Sequence, residues 1–469
     1  MRLSNDTLNG LPREVERFGY RRELQGVGIV HVGVGAFHRA HQAWYTDLAI
    51  EAGDDGWGIL GVSLRSEKVA SRLNPQDGLY SLTVKDSERS STRVIGALRH
   101  VLAATTKHGT VAAVAAIAAP TTRIVSFTVT EKGYAGASLG DEAFERPPPI
   151  YPLLGAALQR RQAAGLSGLT FLSCDNLSAN GAHLQESLSS YLERTDAQTA
   201  AWFRANCTCP STVVDRIVPA TTDADLGSVE RVLGLRDEAA VITEPFSQWI
   251  LEDRFCQGRP GWDRVGARLV DDVRPFEMAK LRMLNGAHSA LAYLGLERGH
   301  EFVDEAIADP VLRPLVEALI RREAADSFTA ARGQDLSAYA DLLVERFSNR
   351  GLRHRLDQIA EDGSQKIPQR WLGTVADRRA RGLASPAILA ALGAWVRFVR
   401  GENGRVRDPR STELSELWTG EGASGIAAAL FSDRGLFRNG LTPDEQRQLT
   451  DTLRADATAE EASRKFQAN

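Results

Sequence analysis

The sequence predicts an α/β protein in which a mainly parallel sheet, within residues 1–273, precedes a mostly α-helical domain, residues 274–469. Three observations lead to this prediction. Buried strands alternate with helices up to about residue 270, as in parallel α/β folds. The hydrophobic period then becomes helical almost throughout. A chain of 469 residues is also too long for one ordinary core.

Composition and charge narrow the functional classes. The net charge is −4 with no basic block, which argues against a nucleic-acid partner. The longest alanine-rich apolar run, Val111–Ala119, is too short to span a membrane, and the first residues lack the apolar core of a signal peptide. Four scattered cysteines show no paired metal spacing: Cys174, Cys207, Cys209 and Cys256. We therefore expect reduced thiols, no metal site, no membrane partner and a cytoplasmic location.

The first strand carries the first functional signal. Gly26–Val34 is rich in β-branched residues, Gly33 and Gly35 lie at its end, and a helix is expected from Ala40. Strand, glycine turn and helix in this order indicate a Rossmann-type dinucleotide-binding domain, because glycine lets the backbone approach a pyrophosphate. The third glycine of the motif is missing, and Phe37 in that region is a further candidate cofactor contact.

The second strand, Trp57–Leu64, is expected to end at the adenosine ribose of the cofactor. Glu67 could accept a hydrogen bond from a ribose 2′-hydroxyl, whereas Arg65 and Lys68 could favour a 2′-phosphate. We expect NAD as the cofactor and leave NADP open.

A further strand, Arg123–Thr130, ends in polar residues, as at the ligand-binding edge of an open parallel sheet. Thr130 is a candidate cofactor contact there. Lys132 is a candidate anion contact, with a plain surface lysine as the alternative. The proline run at 147–149 predicts a stiff extended connector.

Two later strands each end near a candidate substrate contact. Leu169–Cys174 precedes Asn176, an amide that could point into a cleft or cap a helix. Val213–Pro219 contains Asp215 and Arg216, and a charged pair inside an apolar run predicts a mutual salt bridge.

The helical half contains the segment with the most chemistry, Lys280–His288. At about 100° per residue, Lys280 and Asn285 lie about 140° apart and His288 about 80° from Lys280. One broad face could thus present an amine with a lowered pKa, an amide that holds a developing alkoxide, and an imidazole. The alternative is a solvated polar face. Because this helix opens the second domain, we expect it where the two domains meet.

Helical periodicity continues beyond it. Residues 346–370 are dense in polar groups that could line a sugar-acid pocket or form a solvated helix. The predicted helices are 274–296, 300–327, 336–348, 352–361, 368–382, 385–402 and 442–466.

Six motifs resemble those of one enzyme family and follow the same order and spacing. They are GVGAFHRAHQ at 33–42, TVTEKGY at 128–134, SCDN with NG within 173–181, VDRIVP at 214–219, EPFSQW at 244–249, and the Lys-x4-Asn-x2-His signature that begins at Lys280. The family is the polyol-specific long-chain dehydrogenases, also called the mannitol dehydrogenase family.

Within that family the chain is more similar to the fructuronate reductases (D-mannonate oxidoreductases), through residues 275–286, 352–355 and 362–370. Mannitol dehydrogenases tend to have glycine in place of Lys132 and arginine where Gln358 stands. Mannitol dehydrogenases have an acidic residue that selects the cofactor, and this chain has a different residue there, near Lys68. NADP therefore remains an alternative to NAD.

The resemblance implies a metal-independent hydride transfer between NAD(H) and a secondary alcohol or ketone. It makes Lys280 the general acid/base. It makes Asn176 and Asn285 the groups that polarise the reacting oxygen, and His288 the group that orients the substrate. An amine and two amides around one oxygen suit proton transfer coupled to hydride transfer.

The same resemblance places Asp215 and Lys366 at substrate-site positions. Lys132, Arg282 and Lys366 could pair with a substrate carboxylate, so we expect interconversion of D-fructuronate and D-mannonate. The alternatives are mannitol 2-dehydrogenase or another polyol dehydrogenase, and a NAD(H)-binding sensor without turnover. We expect a monomer or small homo-oligomer.

Overall fold

The computed structural model describes residues 1–130, 133–134, 144–401 and 404–467, with side chains up to residue 455. The chain divides into two compact units, residues 1–274 and 275–469. Each unit buries a hydrophobic core of its own. The predicted α/β class, with a helical second part, is confirmed.

All strands in the described residues lie in the first unit and form three sheets. The strand orders are β6-β3-β2-β7-β8, β1-β5-β4-β10 and β12-β11-β9. The bounds are β1 Glu16–Arg17, β2 Val27–Val32, β3 Gly58–Ser63, β4 Tyr80–Lys85, β5 Ser90–Ile95, β6 Leu98–Ala103, β7 Ile124–Phe127, β8 Thr170–Ser173, β9 Thr212–Asp215, β10 Val241–Thr243, β11 Gln248–Glu252 and β12 Arg268–Val270.

The five-stranded sheet is parallel at every pairing. Its central strand β2 is buried on both faces, with Ile29 in one hydrophobic cluster and Val30 in another. This explains why β2 has β-branched residues on both faces rather than an alternation of apolar and polar residues. Because the strands run in one direction, the carboxyl ends of β2, β3 and β7 lie at one edge.

The other two sheets combine parallel and antiparallel pairings, since β1 pairs with β5, β4 with β10 and β11 with β12 in parallel. β4 pairs with β5 in antiparallel fashion, and β9 pairs with β11 in the same way. Only four residues separate β4 from β5, which is enough for a hairpin and far too few for a parallel crossover.

The first unit carries eight α-helices and four short 3₁₀ segments in the described residues. The α-helices are Ala36–Ala40, Gln42–Glu51, Lys68–Leu73, Lys107–Ala118, Ile150–Ala163, Asn180–Thr195, Ala197–Asn206 and Asp223–Leu233. The 3₁₀ segments are Asn5–Gly10, Arg22–Leu24, Asn74–Gln76 and Trp262–Val265.

The second unit is helical and contains three π-helical turns: Lys280–Asn285, Leu319–Ala324 and Pro368–Leu372. Its α-helices are Arg274–Ala279 (whose first residue closes the first unit), Gly286–Glu297, Val303–Ala308, Leu312–Ala318, Leu336–Phe347, Leu356–Ile359, Gly363–Ile367, Gly373–Ala380, Pro386–Phe398, Ser411–Phe431 and Pro443–Gln467, with a 3₁₀ segment at Ala325–Ser327. The first π-turn packs against the other two.

One long helix, Ser411–Phe431, is missing from the sequence-based prediction. Three glycines interrupt its hydrophobic period, and Gly422 leaves the helical region with φ 57° and ψ −171°. The helix is kinked there, and buried Leu414, Trp418 and Leu430 hold it against the core of the unit. Tertiary packing overrides a weak local pattern in this segment.

Candidate active site

The first unit presents a glycine turn at the end of β2. Gly33 has φ +100°, and a Cβ at this position would lie 2.2 Å from the carbonyl oxygen of Thr128. Gly35 differs, because the nearest heavy atom to a Cβ there would be 3.9 Å away. Gly33 is thus required by the protein's own backbone, whereas Gly35 leaves its backbone open to a bound group.

A cavity of about 460 Å³ lies beside this turn. Four of the six predicted cofactor contacts line it: Gly33, Gly35, Arg65 and Thr130. Arg146 and the proline run at 147–149 also line the cavity. The prolines therefore form part of the cavity wall. The sequence had predicted only a stiff connector for them.

The other two predicted cofactor contacts lie outside the lining of this cavity. Phe37 stacks on His41, with ring centroids 5.0 Å apart. Glu67 is exposed at the start of helix Lys68–Leu73, where its Oε1 accepts a hydrogen bond from Thr105 Oγ1 at 3.3 Å.

A carboxylate that sequence analysis did not single out holds the loop after β7. Asp175 accepts hydrogen bonds from the backbone N–H groups of Val129 (3.1 Å) and Thr130 (2.8 Å) and from the hydroxyl of Tyr134 (2.6 Å). Thr130 has φ +67°, an uncommon region for a β-branched residue. Asp175 therefore fixes a strained turn that lines the cavity.

Asn176 follows Asp175 and is exposed, so it lies just beyond the carboxyl end of β8. The helix that it was considered to cap begins later, at Asn180. Asp215 is the last residue of β9 and is buried.

The expected salt bridge between Asp215 and Arg216 is wrong. Arg216 donates hydrogen bonds to the backbone carbonyls of Ala40 and Glu244. Its guanidinium also lies 4.7 Å from the ring centroid of Trp44. Asp215 ends β9 and Arg216 follows it, and the guanidinium is committed to these carbonyls and to the Trp44 ring.

Three buried histidines lie beneath the glycine turn. The rings of His31 and His38 stack with centroids 3.4 Å apart. His31 Nε2 lies 2.9 Å from Thr128 Oγ1, and His41 Nε2 lies 2.9 Å from the carbonyl oxygen of Gln248. Burial lowers the pKa of His31 to about 3 and that of His38 well below its usual value. His38 and His41 are therefore both packed in the interior of the first unit, and His41 also contacts a backbone carbonyl.

In the second unit, Lys280–Asn285 forms a π-helical turn within an unbroken helical segment. A π-turn closes hydrogen bonds between residues five apart, so Asn285 is brought over Lys280. The expected separation of about 140° assumed α-geometry and is wrong. Lys280 and Asn285 are both partly buried, and Met283 and Leu284 anchor the turn in the core.

His288 lies one turn further along. Its ring packs against Phe347 and His354, at centroid distances of 4.7 and 5.5 Å. Burial lowers the pKa of His288 well below its usual value, and nearby His354, Arg346 and Arg370 lower it further. The imidazole is therefore neutral, and its buried Nε2 has no hydrogen-bond partner among the described residues.

Two cations of the second unit lie four residues apart. Lys366 Nζ donates to the backbone carbonyls of Ile359 (3.3 Å) and Glu361, and burial together with Arg370 lowers its pKa. Arg370 donates to the carbonyl oxygen of Asn285 and to the hydroxyl of Ser289. It thus contacts the same segment that carries Lys280 and His288.

Two other predicted substrate contacts have different outcomes. Arg282 is buried and forms an ion pair with Asp377 at 2.5 Å, while its Nη1 donates to the carbonyl of Ser327. Lys132 lies outside the described residues.

Among the residues that are described, no three His, Cys, Asp or Glu side chains are grouped so as to hold a metal ion. No described helix is both long and apolar enough to cross a membrane.

Comparison with known proteins shows which protein family this chain matches. Residues 27–264 match the mannitol dehydrogenase Rossmann domain, and residues 272–452 match the mannitol dehydrogenase C-terminal domain. D-mannonate oxidoreductase of Escherichia coli (strain K12) is 41% identical over 434 residues, which cover 88% of this chain and 89% of that protein.

Two mannitol 2-dehydrogenases are also similar. The protein from Phaeosphaeria nodorum is 36% identical over 419 residues, covering 84% of this chain and 73% of that protein. The solved structure of Pseudomonas fluorescens mannitol 2-dehydrogenase, in a ternary complex with NAD and D-mannitol, superposes with a TM-score of 0.84. It is 33% identical and covers 100% of both chains.

Proposed function

Because the chain belongs to the mannitol dehydrogenase family of oxidoreductases, we propose that it interconverts D-fructuronate and D-mannonate with NAD(H). The observation that carries the chemistry is the π-turn that brings Asn285 over Lys280, one turn before a neutral His288. Such a group of amine, amide and imidazole suits the proton transfer that accompanies hydride transfer at a secondary alcohol.

The first unit supports the cofactor part of the proposal. Gly35 offers an open backbone, and Arg65 and Arg146 add positive charge to the same cavity. These features suit the pyrophosphate of a dinucleotide. NAD(H), when bound, would accept or supply the hydride. NADP is the alternative, because Arg65 lines the cavity whereas Glu67 does not.

The roles of the chain's residues follow from their chemistry and from the family resemblance. When a ketone is reduced, Lys280 donates a proton to the carbonyl oxygen, and in the reverse direction it removes the proton from the hydroxyl. Asn285 and Asn176 donate amide hydrogen bonds to that oxygen as negative charge develops on it. His288 positions a neighbouring hydroxyl through Nε2, and Asp215 and Lys366 bind other hydroxyls.

The choice of a sugar acid over a neutral polyol rests on two points. The E. coli relative at 41% identity is named for D-mannonate. The second unit also places Arg346 and Arg370 near His288, and Lys366 near Arg370. Mannitol 2-dehydrogenase activity is the second candidate, supported by the relatives and the solved structure that carry that name.

A substrate panel tests the proposal. The purified enzyme, dialysed against a chelator, is assayed with D-fructuronate, D-tagaturonate, D-fructose and D-arabinitol, each with NAD(H) and NADP(H). We expect the highest kcat/KM for D-fructuronate with NADH and no loss of activity after dialysis. Turnover of fructose with none of either uronate would reject the assignment, and cofactor binding without turnover of any compound would favour a sensor.

Two further points belong to this proposal. A cytoplasmic location and a monomeric or small homo-oligomeric state are what such a metabolic dehydrogenase would have. Both are checked by fractionation of the source cells and by light scattering.

A further inference from the structure

Arg370 stands out among the cations of the second unit by its contacts. Its Nη1 donates to the carbonyl oxygen of Asn285 at 3.2 Å and to Ser289 Oγ at 2.7 Å. These two bonds use both Nη1 hydrogens. They hold the guanidinium against the helical segment that carries the proposed acid/base.

The other face of this guanidinium is open. Nε and Nη2 of Arg370 donate to no described residue, and neither atom is among the fully buried polar atoms that lack a partner. Three N–H donors therefore remain available to a ligand. A planar guanidinium presents such donors in the geometry that matches the two oxygens of a carboxylate.

Arg370 has no counter-charge among the described residues, in contrast to several arginines of the unit. No carboxylate oxygen of the described residues lies within 4 Å of its guanidinium, and the only bonds of this group are those to Asn285 and Ser289. Other arginines of the second unit do have acidic partners, including Arg282 with Asp377, Arg397 with Glu297, Arg355 with Asp357, Arg407 with Glu361 and Arg410 with Glu413.

A partly buried cation without a counter-ion lowers the stability of the folded protein. Packing alone therefore does not account for an arginine at this position. Burial lowers the pKa of Arg370 to about 10. Its charge also lowers the pKa values of His288 and Lys366, so both of these groups lie in the field of Arg370. Arg370 therefore places a positive charge beside the segment that carries the proposed reacting centre, whereas the carboxylates of Glu361, Asp362 and Asp408 act on Lys366.

We propose that Arg370 determines substrate specificity by binding the carboxylate of a sugar acid through Nε and Nη2, in a two-point ion pair. This inference rests on the proposed function and deepens it, because it names the residue that separates sugar acids from neutral polyols. Arg282, the arginine suggested by sequence, is paired with Asp377, and Arg370 takes its place.

The test compares two ligands that differ in one end group. D-Mannonate carries a carboxylate where D-mannitol carries a hydroxymethyl group. Their dissociation constants are measured calorimetrically on the full-length enzyme with NADH bound, for the wild type and for Arg370→Gln and Arg370→Lys. Steady-state kcat/KM for D-fructuronate is measured in parallel.

We expect Arg370→Gln to reduce the preference for mannonate over mannitol by about 10²-fold, as for loss of one partner of a desolvated charge pair. Arg370→Lys keeps the charge but not the fork, so the preference should fall by about tenfold. The matched control is Arg397→Gln, which removes an arginine that already has a carboxylate partner, Glu297, and should leave the preference unchanged.

A structural role for Arg370, acting only through Asn285 and Ser289, predicts a different result. Both ligands would then lose affinity equally, and an unchanged ratio in folded Arg370→Lys would overturn the inference. Wild-type enzyme that does not turn over D-fructuronate would instead overturn the proposed function. If Arg370→Gln does not fold, the lysine variant and its ratio still decide the matter.

Discussion

Lys280 and Asn285 lie five positions apart, and the π-helical hydrogen bonding of this segment suits that spacing. In an α-helix their side chains would diverge, whereas here residue 285 returns over residue 280. His288, which is held neutral by burial, is the next polar group along the segment. These three residues carry the proposed proton transfer.

Lys280→Ala removes the proposed acid/base. We expect kcat to fall by about 10²- to 10⁴-fold, the usual contribution of general acid–base catalysis. The affinity for NADH should remain near that of the wild type, because the glycine turn and the cavity belong to the first unit. Steady-state assays and a fluorescence titration with NADH check this, and near-normal turnover would remove Lys280 from the mechanism.

At the scale of residues, residue type alone was enough to propose a candidate site, and its role stays a prediction. An amine, an amide and an imidazole within nine residues were recognisable as a candidate site. The π-turn was not, because it depends on hydrogen bonding that no residue type encodes. Asp175 and Arg370 were missed because their partners are distant in sequence. The amides held by Asp175 lie 46 and 45 residues earlier, and the carbonyl that Arg370 contacts lies 85 residues earlier.

At the scale of elements, the turn from β2 into the next helix holds two glycines with different constraints. At position 33 only glycine fits the folded protein, because φ is positive and a Cβ would clash with the carbonyl oxygen of Thr128. Gly35 has open space around it. The strand, turn and helix order was visible in the sequence, but the distinction between the two glycines needs the position of β7 beside β2.

Gly33→Ala should destabilise the protein itself, by about 1 to 3 kcal/mol for the backbone strain alone. Gly35→Ala should leave the thermal midpoint of the free protein nearly unchanged but weaken NADH binding, since the new methyl group points into space that we assign to the dinucleotide. Thermal unfolding with and without NADH measures both effects. Equal loss of stability in the two free variants would contradict this assignment.

The stacked pair His31 and His38 makes the first unit sensitive to acid. In the unfolded chain a histidine has a pKa of about 6.5, whereas burial lowers the pKa of His31 to about 3 and that of His38 well below the usual value. Below pH 6.5 these two histidines thus bind protons in the unfolded state but stay unprotonated in the native state. Stability is fully present above pH 6.5 and is lost as the pH falls, by about 1.4 kcal/mol per pH unit for each histidine.

His38→Phe keeps a ring for the stack but removes one titrating group. We expect its free energy of unfolding to depend on pH between 6 and 4.5 with a slope smaller by about one proton. Urea unfolding at several pH values measures the slope. His100→Gln, which changes an exposed histidine, is the matched control, and the same slope in His38→Phe and the wild type would contradict the argument.

At the scale of the whole molecule, the chain consists of two units with separate cores. The change of pattern near residue 272 indicated this division, since alternating strands and helices give way to helical periodicity. The three-sheet organisation of the first unit was not predictable in the same way. It depends on pairings such as β4 with β10, whose residues are far apart in sequence.

Dinucleotide binding should protect the first unit in particular. A ligand at 100 times its dissociation constant stabilises the state that binds it by about 2.7 kcal/mol. We expect NADH to slow amide hydrogen exchange in β2, β3 and β7 and in the turn that follows β2. Mass spectrometry of exchanged peptides measures this. Protection confined to peptides of residues 275–469 would place the cofactor elsewhere.

The pairing of β4 with β10 has a consequence for synthesis of the chain. About 155 residues separate these neighbours in the sheet, and a ribosome needs roughly 8 to 30 s to add that many at about 5 to 20 residues per second. During this interval β4 has β5 on one side and an uncovered row of peptide groups on the other. A bare strand edge invites pairing with other chains, so nascent chains on one messenger are most prone to misassociation before residue 243 emerges.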